Sequence, residues 1–150
     1  MPKIFFVRHG NCCGSPGLSE LGKQELFRVL TKFKDLDFSP KISVTTRAQR
    51  CIETARVLVP GVEPIICEDL PCYCIWRDQQ KTGDSMLKAI GLHIKEGKDM
   101  VVACHDTMPA IMAFRLAEIR GGSIFWESRM SVEMGCGFLL DDKSFVFIEP

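Results

Sequence analysis

The sequence predicts an α/β protein: a three-layer α/β/α sandwich whose sheet is mostly parallel and finishes in an antiparallel C-terminal strand or hairpin. Three observations predict it. Short apolar runs alternate along the chain with longer segments of helical period. Two of those runs, residues 3–7 and 99–104, are apolar almost throughout, as strands covered on both faces must be. The last stretch breaks the alternation, with two apolar segments on either side of Asp141-Asp142-Lys143-Ser144, a turn sequence.

The elements follow in order. Residues 3–7 (KIFFV) form the first buried strand. Ser19 caps a helix on which Leu26, Val29, Leu30 and Phe33 share one face. Residues 42–45 (ISVT) form a short strand, and a helix runs from about Arg47 to Leu58, stopped by Pro60-Gly61. Residues 64–67 (PIIC) are a weaker strand. Gly83-Asp84-Ser85 opens a helix carrying Met86, Leu87, Ile90 and Ile94. After the strand at 99–104, Thr107 and Pro109 supply the N-cap and first turn of a helix bearing Ile111, Met112 and Leu116. Residues 132–140 and 144–149 are the closing strands. All 150 residues are expected to form one domain, since a chain of that length buries most of its surface without a metal or disulfide staple.

Composition narrows the function. Lys and Arg together number 19, as do Asp and Glu, so no bulk charge is available to attract nucleic acid or an anionic membrane. A local basic pocket is still allowed. No apolar run reaches the length of a membrane span, and the opening MPKIFFV is short for a signal peptide, so a cytoplasmic protein is expected. The eight cysteines show no paired C-x-x-C spacing, and they read as free thiols packed as small hydrophobes. No metal and no cofactor is expected.

Three segments carry the chemistry. Arg8-His9-Gly10 follows the first strand, Thr46 to Arg50 follows the second, and His105-Asp106-Thr107 follows the strand at 99–104. In a parallel sheet the loops at the carboxyl ends of strands share one side and make the ligand crevice. Two histidines and two or three arginines should therefore meet there. Arginine matches phosphate oxygens in bidentate fashion, and a neutral histidine can attack phosphorus through a ring nitrogen. The other ring nitrogen should donate to a backbone carbonyl near Gly10. The helix starts after Thr46 and Thr107 would aim N–H groups at the same anion.

Four motifs resemble those of the histidine phosphatase superfamily, the phosphoglycerate-mutase-like proteins. Val7-Arg8-His9-Gly10 resembles the R-H-G motif, and Leu18-Ser19-Glu20-Leu21-Gly22 the L-[ST]-x-x-G helix start. The segment from Thr46 to Ala55 is similar to S-x-x-x-R-A-x-x-T-A, and Cys104-His105 stands in the place of the second histidine. The resemblance spans nearly the whole chain and keeps the family's order. It implies that His9 is the nucleophile that becomes phosphorylated. Arg8, Arg50 and His105 would hold the phosphoryl oxygens. Arg47 competes with Arg50, but Arg50 keeps Thr46 four residues before it and Thr54-Ala55 after it. Arg47 would then lie at the rim, where it could still bind substrate. Asn11 and Thr107 are further phosphate-binding candidates, Asn11 against the alternative of a turn residue. The implied partners are a small phosphorylated substrate or a phosphohistidine protein. The small phosphohistidine phosphatases of this superfamily are similar in size.

One departure stands out. Many family members carry a Glu proton donor in an L-x-E pattern after the third strand, and here Leu70-Pro71-Cys72 puts a thiol at that place. Asp106 is a substitute donor, because His105-Asp106-Thr107 resembles the H-D-T of the histidine acid phosphatase branch. It is equally a first-turn carboxylate favoured by the helix dipole. Glu68 and Asp69 could also reach in, against the simpler reading of a solvated loop. Without a strong acid, a phosphoramidate, which loses a better leaving group than an alkoxide, would be the preferred substrate. The chain is short for the lid insertions of a phosphoglycerate-type mutase, and its two histidines and two arginines speak against a non-catalytic phospho-ligand-binding member. Trp76, Arg77, Trp126 and Arg129 are candidate rim residues, with packing as the simpler reading for both tryptophans.

Overall fold

Four apolar stripes and six strands assemble into three layers. The strands are β1 (Ile4–Arg8), β2 (Ile42–Thr45), β3 (Ile65–Ile66), β4 (Met100–Cys104), β5 (Gly137–Asp141) and β6 (Ser144–Ile148), in the sheet order β3-β2-β4-β1-β5-β6. The structure is a computed structural model that describes residues 1–72, 79–124 and 131–150. β3, β2, β4 and β1 run parallel, β5 lies antiparallel beside β1, and β6 returns from it as a hairpin. The hairpin turns where Asp141-Asp142 predicts it, with Asp142 at φ 53°, a left-handed conformation that Asp tolerates.

Side-chain alternation on the central strands divides the core. Ile4 and Phe6 of β1, with Met100, Val102 and Cys104 of β4, face one side. There they meet α3 (Gln79–Lys95) and α4 (Met108–Ile119), whose Ile90, Ile111 and Met112 are fully buried. Phe5 and Val7, with Val101 and Ala103, face the other side. They pack on α1 (Glu20–Lys32) and α2 (Gln49–Leu58) through Leu26, Val29, Cys51, Ala55 and Leu58. Ser19 caps α1 as expected, its side chain accepting from Gly22 N–H at 3.0 Å.

Two boundaries differ from expectation. α3 starts at Gln79, so Gly83 lies inside the helix. A Cβ at Gly83 would stand 2.9 Å from the Cβ of Arg115, so this glycine lets α3 and α4 approach each other. Asp84 does not cap the helix; it binds Arg115 at 2.7 Å. The second difference is that residues 132–136 are not strand, and β5 begins only at Gly137. Their backbone groups are taken elsewhere: the Val132 carbonyl by the Arg8 guanidinium (2.8 Å) and the Val132 N–H by Asp106 (2.7 Å). Gly135 then turns the chain at φ 77°, its N–H donating to the His9 carbonyl at 3.0 Å. A stretch that reads as strand by apolar content is folded around the edge of the sheet instead.

Candidate active site

The parallel strands β1, β4 and β2 are neighbours, so their carboxyl ends deliver Arg8-His9, His105 and Thr46 to one edge of the sheet. His9 and His105 are each 5% exposed, and their ring centres lie 5.6 Å apart at 65°. These two rings, 96 positions apart in the chain, define the site. The third histidine, His93, lies on α3 and pairs with Glu96 at 3.2 Å.

The backbone sets the orientation of His9. Its Nδ1 is 2.9 Å from the Gly10 carbonyl, which can only accept, so Nδ1 carries the proton and Nε2 holds a lone pair. Nε2 makes no hydrogen bond with any described residue. Gly10 is itself held, because its N–H donates to Thr54 Oγ1 at 3.0 Å, and that hydroxyl donates to the Arg50 carbonyl at 2.7 Å. Thr54 thus ties the loop after β1 to the first turns of α2. Glu53 adds a second tie by accepting from Leu18 N–H at 2.6 Å.

His105 is placed differently. Its Nε2 is 3.0 Å from Thr46 Oγ1 and 3.7 Å from Cys51 Sγ, and its Nδ1 has no partner among the described residues. Cys51 is fully buried, and burial pushes its thiol up to about 11, so it is an inert neighbour rather than a second nucleophile.

The charges of both arginines act on this cluster. Burial holds the His9 imidazole below its ordinary range, and the positive charges of Arg50 and Arg8 add to that, while the Gly10 bond and Asp106 oppose it. Burial lowers His105 to about 4, again with help from His9, Arg50 and Arg8. Nε of Arg8 and Nε of Arg50 are both buried and unpartnered among the described residues, as is the hydroxyl of Thr107. Three buried donors without partners among the described residues, together with two imidazoles whose affinity for a proton is lowered, are chemically suited to receive an anion.

The remaining residues fall into place around this centre. Thr107 occupies the N-cap position of α4 at φ 71° and ψ −34°, and its side chain makes no capping bond. A β-branched residue is rarely found there, and the strain belongs to a site that holds an unpartnered hydroxyl. The Asp106 carboxylate accepts from Thr107 N–H (2.8 Å), Val132 N–H (2.7 Å) and Ser131 Oγ (3.0 Å), and it lies 3.8 Å from Arg8. It pins residues 131–132 against the end of β4. Asn11 Oδ1 accepts from Cys13 N–H at 3.1 Å and so closes a local turn. Arg47 is exposed and pairs with Glu68 at 3.8 Å on the surface. Asp69 is exposed and shares a groove with Lys88 and Leu92 of α3, and neither Glu68 nor Asp69 is among the charges that act on the histidines. Cys72 is an exposed free thiol. Trp76, Arg77, Trp126 and Arg129 lie outside the described residues. Among the described residues no group of three or more His, Cys, Asp or Glu could hold a metal ion, and no helix is long and apolar enough to cross a membrane.

Burial of His105 has a consequence for stability. The unfolded chain binds a proton at His105 below about pH 6.5, whereas the folded protein does so only near 4. The unfolded state therefore holds more protons across that window. Stability should be fully present above it and fall as the pH drops through it, by on the order of 2–3 kcal/mol. Urea titrations at about pH 7 and about pH 4.5 check this: His105→Asn should lose less stability between the two than wild type. Equal losses would refute it.

Motif spacing singles out His9, His105, Arg8 and Arg50. It does not reveal the tasks of Thr54, Glu53 and Ser131. The x-x-T-A segment marks Thr54 as noteworthy without saying what it binds. Ser131 has no local signal.

No protein-family model and no curated protein matches this sequence. Solved structures do match. An ecdysone phosphate phosphatase from Bombix mori, in complex with tungstate, superposes with a TM-score of 0.65 at 13% identity, covering 100% of this chain and 93% of that one. The protein histidine phosphatase SixA, complexed with tungstate, gives 0.60 at 14% identity over 97% of this chain and 94% of that one. A mycobacterial glucosyl-3-phosphoglycerate phosphatase gives 0.60 at 11% identity over 100% and 98%. Identities this low speak to architecture alone, and on architecture the matches agree end to end: the chain has the fold of the histidine phosphatases.

Proposed function

We propose that this protein is a phosphatase that works through a phosphohistidine at His9. The observation that carries the reading is the lone pair on His9 Nε2. It is left free by the Gly10 carbonyl, with the ring centre of His105 5.6 Å from that of His9 and the charges of Arg8 and Arg50, whose Nε atoms are unpartnered among the described residues, acting on it. In the first step Nε2 attacks phosphorus, and the bond from phosphorus to the leaving group breaks with its electron pair on that group. In the second, a water oxygen attacks phosphorus, the Nε2–P bond breaks with its electron pair returning to Nε2, and the water's protons leave with the inorganic phosphate, so that the imidazole regains its starting state. Arg8, Arg50, His105 and Thr107 hold the three equatorial oxygens as charge spreads over them. Asn11 contributes its amide NH₂, because its Oδ1 is engaged by the Cys13 N–H. Arg47, exposed beside Glu68, is left to contact the outer part of a substrate.

The leaving group decides the substrate class. Asp106 serves here as an acceptor for two backbone N–H groups and a hydroxyl, next to a guanidinium. Such a carboxylate positions Arg8 and residues 131–132 and is ill suited to give up a proton. An alkoxide leaves poorly without general acid help, which is worth about 10²–10⁴-fold. The imidazole of phosphohistidine leaves without it. The substrate is therefore a phosphoramidate, most naturally a phosphohistidine protein, in preference to a phosphomonoester. The three solved phosphatases named above differ from one another in the substrate of their names, so the preference rests on Asp106 and not on likeness.

A substrate panel tests it. Wild type should hydrolyse a phosphohistidine peptide faster than an unactivated alkyl phosphate. Asp106→Asn, which keeps the acceptor for Val132, should retain the first activity within about threefold, far from the 10²–10⁴-fold loss expected of a general acid. A loss of that size confined to the alkyl phosphate would make Asp106 the proton donor, since the imidazole leaves without one. No turnover of either substrate would overturn the phosphatase reading.

A further inference from the structure

The two imidazoles at this site are held by different kinds of group, and the difference has a chemical meaning. His9 is gripped at Nδ1 by a carbonyl, which can only accept. His105 is gripped at Nε2 by a hydroxyl, Thr46 Oγ1, which can do either. The surroundings of Thr46 settle the direction. The side chain is fully buried at the end of β2, and its oxygen already accepts from Ala48 N–H at 3.4 Å. Its single proton has two places to go, His105 Nε2 at 3.0 Å or the Cys51 sulfur. The Cys51 thiol in turn directs its own weak donor at the Cys104 carbonyl, 3.6 Å away. Imidazole nitrogen is a much better acceptor than a thiol sulfur. The hydroxyl therefore donates to Nε2, and His105 carries its proton on Nδ1.

We propose that Thr46 is a positioning residue that fixes His105 as the Nδ1–H tautomer. The pair of histidines then carries opposite functions on neighbouring rings: His9 presents a lone pair at Nε2, and His105 presents an N–H at Nδ1, the atom with no partner among the described residues. One attacks phosphorus while the other donates to a phosphoryl oxygen. A hydroxyl is suited to this task where a carbonyl is not, since a carbonyl at Nε2 would force the other tautomer and aim a lone pair at an anion. The proposal rests on the phosphatase reading for its consequence in turnover but not for the tautomer itself.

Two variants separate the effects. Thr46→Val keeps the shape and removes the donor, and Thr46→Ser keeps the donor. Long-range ¹H–¹⁵N NMR at neutral pH reads which nitrogen of His105 is protonated, without any substrate. Wild type and Thr46→Ser are expected to show a protonated Nδ1 and a bare Nε2, and Thr46→Val to populate the Nε2–H form. With a phosphohistidine peptide as substrate, Thr46→Val should lose roughly tenfold in kcat, the scale of one hydrogen bond to a charged group, and Thr46→Ser should restore it. A protonated Nε2 in wild type, or the same tautomer in wild type and Thr46→Val, overturns the proposal. Failure of the phosphatase reading would show separately, as absence of phosphate release by wild type whatever the tautomer.

Discussion

His9→Ala is expected to lower phosphate release from a phosphohistidine peptide by roughly 10⁵-fold, the scale seen when the nucleophile of a covalent mechanism is removed. The reason lies in how completely the site is organised around Nε2. The Nδ1 bond to Gly10 fixes the tautomer, Thr54 fixes Gly10, and burial with the charges of Arg50 and Arg8 keeps the ring neutral. A neutral imidazole is the reactive form, so the wild-type rate should hold from neutral pH down to below the ordinary histidine range and then fall as His9 takes up a proton. A rapid-quench experiment with labelled substrate gives the direct check. Wild type should trap a label on the protein that is stable to base and released by acid, as a phosphoramidate is, while His9→Ala traps none. His9→Asn should behave like His9→Ala and guards against a folding defect in the smaller variant. A variant that still traps an acid-labile label, or releases phosphate at a rate near wild type, would remove His9 from the mechanism.

Arg50→Ala should cost about 10²–10³-fold in kcat/KM, the range for one preorganised donor to a developing anion. Arg50 sits in the first turn of α2, half-buried, with its Nε buried and unpartnered among the described residues and its charge acting on both histidines. Arg50→Lys should recover only part of the loss, since an ammonium keeps the charge and gives up the planar fork. Arg47→Ala is the matched control. Arg47 lies three residues earlier, exposed and paired with Glu68, and an exposed pair of this kind contributes little to stability. Its removal should leave turnover within about threefold and at most raise KM. Isothermal titration with tungstate offers a second readout free of turnover: affinity should drop in Arg50→Ala and stay near wild type in Arg47→Ala. The reverse order of the two variants would exchange the roles of these arginines.

The exchange is worth testing because the sequence presents both arginines with nearly equal claims. The preference for Arg50 comes from its spacing to Thr46 and Thr54, four residues on either side. Arg50 and Thr54 are one helical turn apart in α2, a spacing that a local pattern can express, and Thr46 lies just before the helix at the end of β2. Arg47 precedes the helix, and its exposure follows from the path of the loop.

The same division runs through the whole molecule. The order of most elements, the burial of β1 and β4 on both faces and the capping of α1 by Ser19 are legible along the chain. Each of these is written in nearest neighbours or in a period of two or three to four residues, so it survives without knowledge of the partner. Which side chain holds which follows from how distant segments are brought together. Gly10 and Thr54 are 44 positions apart, Thr46 and His105 59, and Arg8 and Val132 124. The apolar run at 132–136 left the sheet because Arg8 and Asp106 claim its backbone groups, a competition with no local trace. The physical reason is that hydrophobic burial is non-directional and legible from composition along the chain, whereas a hydrogen bond needs two groups within about 3 Å, and that distance exists only once the strands have been set side by side.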